Sequence, residues 1–187
     1  MFIYFLEMEF KKYAIEGVVE IIPRKFGDAR GYFFESYSQQ IFAGAGIDAT
    51  FVQDNESFSQ KGVLRGLHFQ KPPYAQGKLV RVTTGSALDV AVDIRKNSPT
   101  YGQHVSCLLS SEQNNMFYIP TGFAHGFVAL EDSTTFLYKC TDYYQPTSEG
   151  GIIWNDPALN IDWNISDPLI SAKDQVLPRL AELDSPF

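Results

Sequence analysis

Histidine, cysteine and positive charge are all scarce in this 187-residue sequence: three His, two Cys, and 15 Lys plus Arg against 22 Asp plus Glu, for a formal net charge of −7. The acidic balance excludes a general nucleic-acid binder, because a phosphate backbone is held by clustered Lys and Arg. A local basic pocket for one small anion stays open. Two cysteines cannot supply a disulfide framework or a thiolate metal cluster. Cys107 and Cys140 each sit in an apolar, strand-like run and read as buried thiols of a protein in the reducing cytoplasm. No run approaches the ~20 apolar residues that cross a bilayer, so no membrane role is expected. The apolar start Met1–Leu6 has no basic leader and runs straight into Glu7, unlike a secretion signal. With Met8 as a second candidate start, residues 1–7 read as a loosely held extension, or else an edge strand, of a single domain spanning 1–187.

What the sequence has in quantity is short apolar stretches cut by turn residues. The 44% hydrophobic and 14% aromatic content suffices for a sizeable core. Strands are expected over 13–22, 32–35, 51–58, 62–70, 77–84, 88–94, 101–109, 116–119, 127–130 and 134–142, with one short helix over 38–45. Leu88, Val90, Val92 and Ile94 alternate with Asp89, Ala91 and Asp93, which predicts a strand buried on one face only. Such a series of short strands with little helix reads as an all-β sandwich or barrel. After Tyr144 an irregular tail is expected, clamped to the body by Ile152, Ile153, Trp154 and Trp163, with helix only at 177–183.

Charge inside a strand marks the candidate site. Arg65-Gly66-Leu67-His68 places a guanidinium and an imidazole in an otherwise apolar run, where an unsatisfied polar group costs roughly 1–3 kcal/mol. Strict alternation would turn Arg65 and His68 to opposite faces, so a glycine bulge at Gly66 is required if both are to line one cavity. Gln53, Asp54 and Asn55 make another strand too polar for simple core, and are expected to face a cleft or a partner. His125 stands in Pro120-Thr121-Gly122-Phe123-Ala124-His125, which resembles the second histidine motif of cupin jelly rolls. Two imidazoles without a neighbouring carboxylate ligand under-supply a metal site, so none is expected. His104, on an alternating strand, reads as a rim residue.

Several blocks resemble one family. They are Phe26-Gly27-Asp28-Ala29-Arg30-Gly31-Tyr32-Phe33-Phe34-Glu35, Phe51-Val52-Gln53-Asp54-Asn55, Val63-Leu64-Arg65-Gly66-Leu67-His68-Phe69-Gln70, Gln76-Gly77-Lys78-Leu79-Val80-Arg81, Ile119-Pro120 through Gly126-Phe127, Phe136-Leu137-Tyr138-Lys139, Ser148-Glu149-Gly150, Ile153-Trp154-Asn155-Asp156 and Ser171-Ala172-Lys173-Asp174. In this order they are similar to the dTDP-4-dehydrorhamnose 3,5-epimerases. The resemblance implies a homodimeric cupin-like jelly roll that needs no cofactor. It also implies inversion of C3 and C5 of dTDP-4-dehydro-6-deoxy-glucose, giving dTDP-4-dehydro-rhamnose for dTDP-rhamnose and lipopolysaccharide synthesis. By the same resemblance His68 is the base, Asp174 its charged partner, Tyr138 the acid and Lys78 the group at the C4 oxygen. Arg30, Glu35, Gln53, Asn55, Arg65, Lys78, His125, Glu149 and Lys173 match substrate-binding positions.

Two features depart from the family pattern: the extension before Met8, and Ala43–Asp48, which is small and flexible where a firmer helix end is expected. The competing readings are a mono-epimerase that keeps the same base and acid, a non-catalytic sugar-nucleotide-binding jelly roll, and a metal-dependent cupin enzyme.

Overall fold

The computed structural model describes residues 8–187, so the expected extension at 1–7 lies outside the described residues. Two antiparallel sheets face each other. The first has the order β1-β2-β10-β7-β12-β5, built from β1 (Glu9–Lys12), β2 (Val19–Ile22), β5 (Gln53–Ser59), β7 (Lys78–Thr84), β10 (Met116–Ile119) and β12 (Thr134–Cys140). The second has the order β13-β6-β11-β8-β9, from β6 (Val63–Gln70), β8 (Ser86–Asp93), β9 (His104–Ser110), β11 (Phe123–Ala129) and β13 (Glu149–Gly151); β14 (Leu169–Ile170) adds a short parallel pairing to β6. β3 (Phe26–Asp28) and β4 (Gly31–Phe33) form a separate hairpin. This is the all-β jelly-roll class expected.

Alternation explains how the layers bury. Val80 and Val82 of β7, Phe117 and Ile119 of β10 and Phe136 of β12 meet Ala87 and Ala91 of β8, Cys107 of β9 and Phe123 and Phe127 of β11 between the sheets. The outer face of the first sheet carries Val19, Ile21, Leu79 and Met116, covered by Phe42 of helix α1 (Gln39–Gly44) and by Ile47. That helix end is firm, contrary to expectation: Gly46 takes φ +89° and the Ile47 amide returns to the Phe42 carbonyl at 2.9 Å, which tucks Ile47 into the cluster.

The outer face of the second sheet is where the alternation reading fails. Leu88, Val90 and Val92 of β8 pack there with Leu64, Leu67 and Phe69 of β6, under Ile152, Leu159 and Trp163 of the tail. β8 is therefore buried on both faces, not one. Asp89 and Asp93 are inside: Asp93 accepts from Arg95, Ser98 and Thr100, and Asp89 pairs with His125. A tail remote in sequence supplied the second cover, which no local periodicity encodes.

Other boundaries also move. The expected strand over 13–22 keeps only Val19–Ile22, since Gly17 turns the chain at φ +100°, and an edge strand at Glu9–Lys12 precedes it. The strand expected at 127–130 begins at Phe123. The tail is more ordered than expected, returning to β6 as β13 and β14, while 177–183 forms only a 3-10 turn at Leu180–Glu182, and a second turn stands at Asp174–Val176. Pro178 lacks the amide that a longer helix needs.

Candidate active site

The site lies where β6 departs from regularity. Leu64 and Leu67 are three residues apart, yet both pack on the outer face with Phe69. A regular strand would separate them. The switch falls at Gly66, at φ +115°, where the pairing between β6 and β11 shifts register between His125 and Phe127. Gly66 and Gly126 make the crossing possible: a Cβ on Gly66 would lie 2.6 Å from Gly126 Cα and from the His125 carbonyl oxygen, and one on Gly126 would lie 2.7 Å from the Arg65 carbonyl oxygen. After the switch, Arg65 and His68 line the same cavity.

That cavity, of about 340 Å³, also takes in Lys78, His125, Tyr138, Lys173 and Asp174, with Phe127 and Phe136 as apolar floor. A second cavity of about 340 Å³ adjoins it through His68, Lys78 and Tyr138 and adds Gln53, Asn55, Gln76, Tyr144 and Glu149. The inward-facing positions that carry Val and Phe in the core carry the polar groups at this end. Lys78 continues the face of Val80 and Val82, Tyr138 that of Phe136, His125 that of Phe123 and Phe127. His68 stands on the second sheet and Tyr138 on the first, so they occupy facing walls.

His68 Nε2 lies 2.6 Å from Asp174 Oδ1, and Asp174 Oδ2 accepts from the Gly66 amide at 3.3 Å. Asp174 is buried and opens its 3-10 turn, with its amide donating to Ser171 Oγ at 3.1 Å. One carboxylate thus ties the tail to the bulge and to the imidazole. Beside His68 in register, His125 Nε2 lies 2.8 Å from Asp89 Oδ2; burial pushes the His125 imidazole down, towards its neutral form. Burial raises the Tyr138 phenol, which stays protonated at neutral pH, and lowers the Lys78 ammonium, whose Nζ lies 5.9 Å from the Tyr138 ring centre.

Glu149 and Lys173 face each other at 2.6 Å, and Tyr144 Oη donates to Glu149 at 3.0 Å. Burial would raise the Glu149 carboxyl, but the hydrogen bonds from Lys173 and Tyr144 outweigh it and hold it below its ordinary range. Gln53 donates to Asn55 at 3.1 Å and accepts from the Tyr144 amide at 3.0 Å. Below them Gln70 is a buried hub, bonded to the Tyr74 and Tyr143 carbonyls and the Gln145 amide.

Arg30 and Glu35 do not join this group. Arg30 pairs with Asp28 on the exposed β3–β4 hairpin, whose Tyr32 and Phe33 are 61% and 64% exposed; the Glu35 Oε1 is buried without a hydrogen-bond partner. His104 is half-buried on β9 and lines neither cavity. Among the described residues no cluster of three or more His, Cys, Asp or Glu is arranged to hold a metal, and His68 and His125 each direct Nε2 to a carboxylate. No described helix is long and apolar enough to cross a membrane. Gln76 and Tyr144 of the second cavity, and Asp89 beside His125, are neighbours of the site that sequence reasoning does not single out. For Asp89 the available signal is an Asp in a run of Val and Ala, which the half-buried reading of that strand leaves unremarked.

Known proteins are similar to this chain in sequence and in fold. The family model described as dTDP-4-dehydrorhamnose 3,5-epimerase matches residues 12–182. The dTDP-4-dehydrorhamnose 3,5-epimerase of Salmonella typhimurium is 57% identical over 171 residues, covering 90% of this chain and 93% of that protein. Among solved structures, the Legionella pneumophila dTDP-6-deoxy-D-glucose-3,5-epimerase in complex with dTDP-4-keto-L-rhamnose superposes with a TM-score of 0.92 at 48% identity, over 95% of each chain. A 3′-monoepimerase from Streptomyces bikiniensis in complex with dTDP-quinovose gives 0.86 at 34% identity, over 90% of this chain and 86% of that one. With the model spanning nearly the whole chain and identities near one half, the chain belongs to the dTDP-4-dehydrorhamnose 3,5-epimerase family.

Proposed function

We propose that the cavity between the sheets inverts C3 and C5 of dTDP-4-dehydro-6-deoxy-glucose, giving dTDP-4-dehydro-rhamnose for dTDP-rhamnose synthesis, with His68 as base and Tyr138 as acid. The observation that carries the reading is the placement of the His68–Asp174 pair and the Tyr138 phenol on facing walls of one cavity that also holds Lys78. Both hydrogens to be moved are α to the C4 ketone. Their removal gives an enolate, so the reaction needs a base, a cation or donor at the oxygen, and an acid on the opposite face. It calls on no cofactor.

Each group suits its task. With Nε2–H donating to Asp174, His68 keeps Nδ1 as the nitrogen that takes the proton, and the carboxylate stabilises the imidazolium that results. Lys78 faces the enolate oxygen. Tyr138, held protonated by burial, delivers a proton from the other wall. Arg65 and Lys173 supply positive charge for the diphosphate, and Gln53, Asn55, His125 and Glu149 supply polar contacts around sugar and base. Arg30 and Glu35 lie outside their own chain's cavity, on or beside an exposed aromatic hairpin. This fits a homodimer in which that hairpin reaches the partner's cavity, and a solution mass of one chain would remove that part of the reading. The two buried, unpaired thiols accord with a cytoplasmic location.

Incubation with dTDP-4-dehydro-6-deoxy-glucose in deuterated water tests the proposal. Label is expected at both C3 and C5, with exchange abolished in His68→Ala. Label at C3 alone would make the protein a mono-epimerase. Binding of the sugar nucleotide without any exchange would leave only a binding module.

A further inference from the structure

Gln70 ends β6 as an enclosed, neutral side chain, 4% exposed, whose carboxamide bonds only to backbone. Its Nε2 donates to the Tyr74 carbonyl at 2.7 Å and to the Tyr143 carbonyl at 3.1 Å, and its Oε1 accepts from the Gln145 amide at 2.6 Å. Tyr74 belongs to the segment 71–77 between β6 and β7, Tyr143 and Gln145 to the segment 141–148 between β12 and β13. Among the described residues no other group bonds these two carbonyls and this amide. The two segments bring Gln76 and Tyr144 to the second cavity. We propose that Gln70 is a positioning residue for ligand binding: its carboxamide clamps both segments into one wall of that cavity, so that its loss weakens binding of the sugar nucleotide and leaves proton transfer intact.

The ligand is the sugar nucleotide of the proposed function, on which this inference rests. Tyr144 is 55% exposed, so packing does not fix it. Its neighbours in the chain do: the Tyr143 carbonyl and the Gln145 amide, on either side of it, both bond Gln70. Its own amide donates to Gln53 and its hydroxyl to Glu149, each at 3.0 Å, which aims the ring once the backbone is held. From the other segment Gln76 Nε2 donates to the Asp142 carbonyl at 2.7 Å, and the Gly77 amide to Thr141 Oγ1 at 2.8 Å. A neutral group with two donor hydrogens and an acceptor is what this junction requires, and neither a carboxylate nor a hydroxyl supplies it. Without Gln70, water would serve the three backbone groups singly, and the ligand would have to order the segments itself, at a cost in affinity. The acid–base groups stand apart from the clamp. Lys78 and Tyr138 are held by the ladder between β7 and β12, and His68 by Asp174 and by pairing with His125 and Gly151; none of the three bonds Gln70.

Gln70→Glu tests this, since it keeps the length of the side chain and the acceptor for Gln145 but turns a donor into a carboxylate oxygen facing two carbonyls. The KM for dTDP-4-dehydro-6-deoxy-glucose and the Kd for dTDP are each expected to rise about tenfold, with kcat within about twofold of the parent. A KM within about twofold of the parent, or a kcat that falls as far as KM rises, would reduce Gln70 to a structural support and overturn the proposal. A second measurement needs no variant, should Gln70→Glu fail to fold. In the unliganded parent protein the Gln145 amide, outside any strand or helix, should exchange its hydrogen at least about 100-fold more slowly than an open chain. Exchange at the open-chain rate would refute a preformed clamp. If the parent binds dTDP but turns nothing over, the proposed reaction falls while the dTDP affinities of parent and variant still decide the role of Gln70; a parent that does not bind dTDP overturns both.

Discussion

Replacing Gly66 by Ala should damage both the stability and the chemistry of this protein, and the structure gives the size of the effect. At φ +115° an L side chain is strained by about 1–3 kcal/mol. The new Cβ would stand 2.6 Å from both Gly126 Cα and the His125 carbonyl oxygen, backbone atoms of a central strand that cannot swing aside. Relieving such overpacking costs about a further 1–3 kcal/mol. The sum, about 2–6 kcal/mol, is a large share of the 5–15 kcal/mol that typically holds a domain together, and corresponds to a melting temperature lower by roughly 5–20 °C. Gly46→Ala is the internal control: it carries φ +89° with nothing within 4 Å of the new Cβ, so it feels the backbone strain alone. Urea melts of both variants at one protein concentration separate the two contributions. Where Gly66→Ala still folds, β6 must slide against β11, and displacing His68 by about 1 Å should lower kcat/KM about 100-fold. Melting no earlier than Gly46→Ala, with activity intact, would refute the claim that the glycine crossing builds the site.

Two further outcomes follow from other parts of the structure. Tyr138→Phe removes the proposed acid but leaves the proposed base, so His68 should return a solvent deuteron to the face it came from; washing-in of label without inversion, followed by NMR, is expected, and full inversion at the parent rate would dismiss Tyr138 as the acid. Asp93→Asn should cost about 2–3 kcal/mol at pH 7, less than for a fully enclosed pair because Arg95 is partly open to solvent. Burial alone would raise the Asp93 carboxyl, but Arg95, Ser98 and Thr100 outweigh it and hold it well below the ordinary value of 3.8. A depressed carboxyl contributes its full stability above the unfolded value and loses it as pH falls through the folded one. The gap between parent and variant in urea melts should therefore narrow below about pH 4; a gap constant from pH 7 to pH 3 would contradict the assignment.

The legible parts of this fold are those set by neighbours close in sequence. β10 falls at Met116–Ile119 as its apolar run requires, and α1 sits within the expected 38–45. The conflict between Arg65 and His68 was visible as a violated alternation, and so was glycine as its remedy. What alternation could not show is anything that depends on a remote cover. Alternation alone makes β8 half-buried, because nothing local says that Trp163 and Leu159 come to lie on its outer face or that Asp89 and Asp93 are enclosed with it. Residues 13–18 looked like strand by composition, but Gly17 turns the chain there against Pro120. Arg30 and Glu35 were grouped with the site by resemblance alone, and one chain does not bring them to it.

The division of labour between rigid sheet and returning tail follows from the same contacts. Lys78, Tyr138, His125 and Asp89 occupy inward positions of paired strands, so their spacing is fixed by ladder geometry and by the core beneath them. Asp174 is different. It reaches His68 from a 3-10 turn far along the chain, and what holds that turn is β14 beside Val63 and Leu64, the Ser171 hydroxyl on its amide, and the neighbouring Lys173–Glu149 pair. Glu149 itself belongs to β13, paired with Gln70 on the strand that carries His68. The tail is thus pinned to β6 on both sides of the bulge, and the Gly66 amide bonds the carboxylate that orients the imidazole two residues on. A glycine bulge without that tail would present His68 with no carboxylate, and a tail without the bulge would meet a strand whose amide and imidazole do not face one oxygen pair.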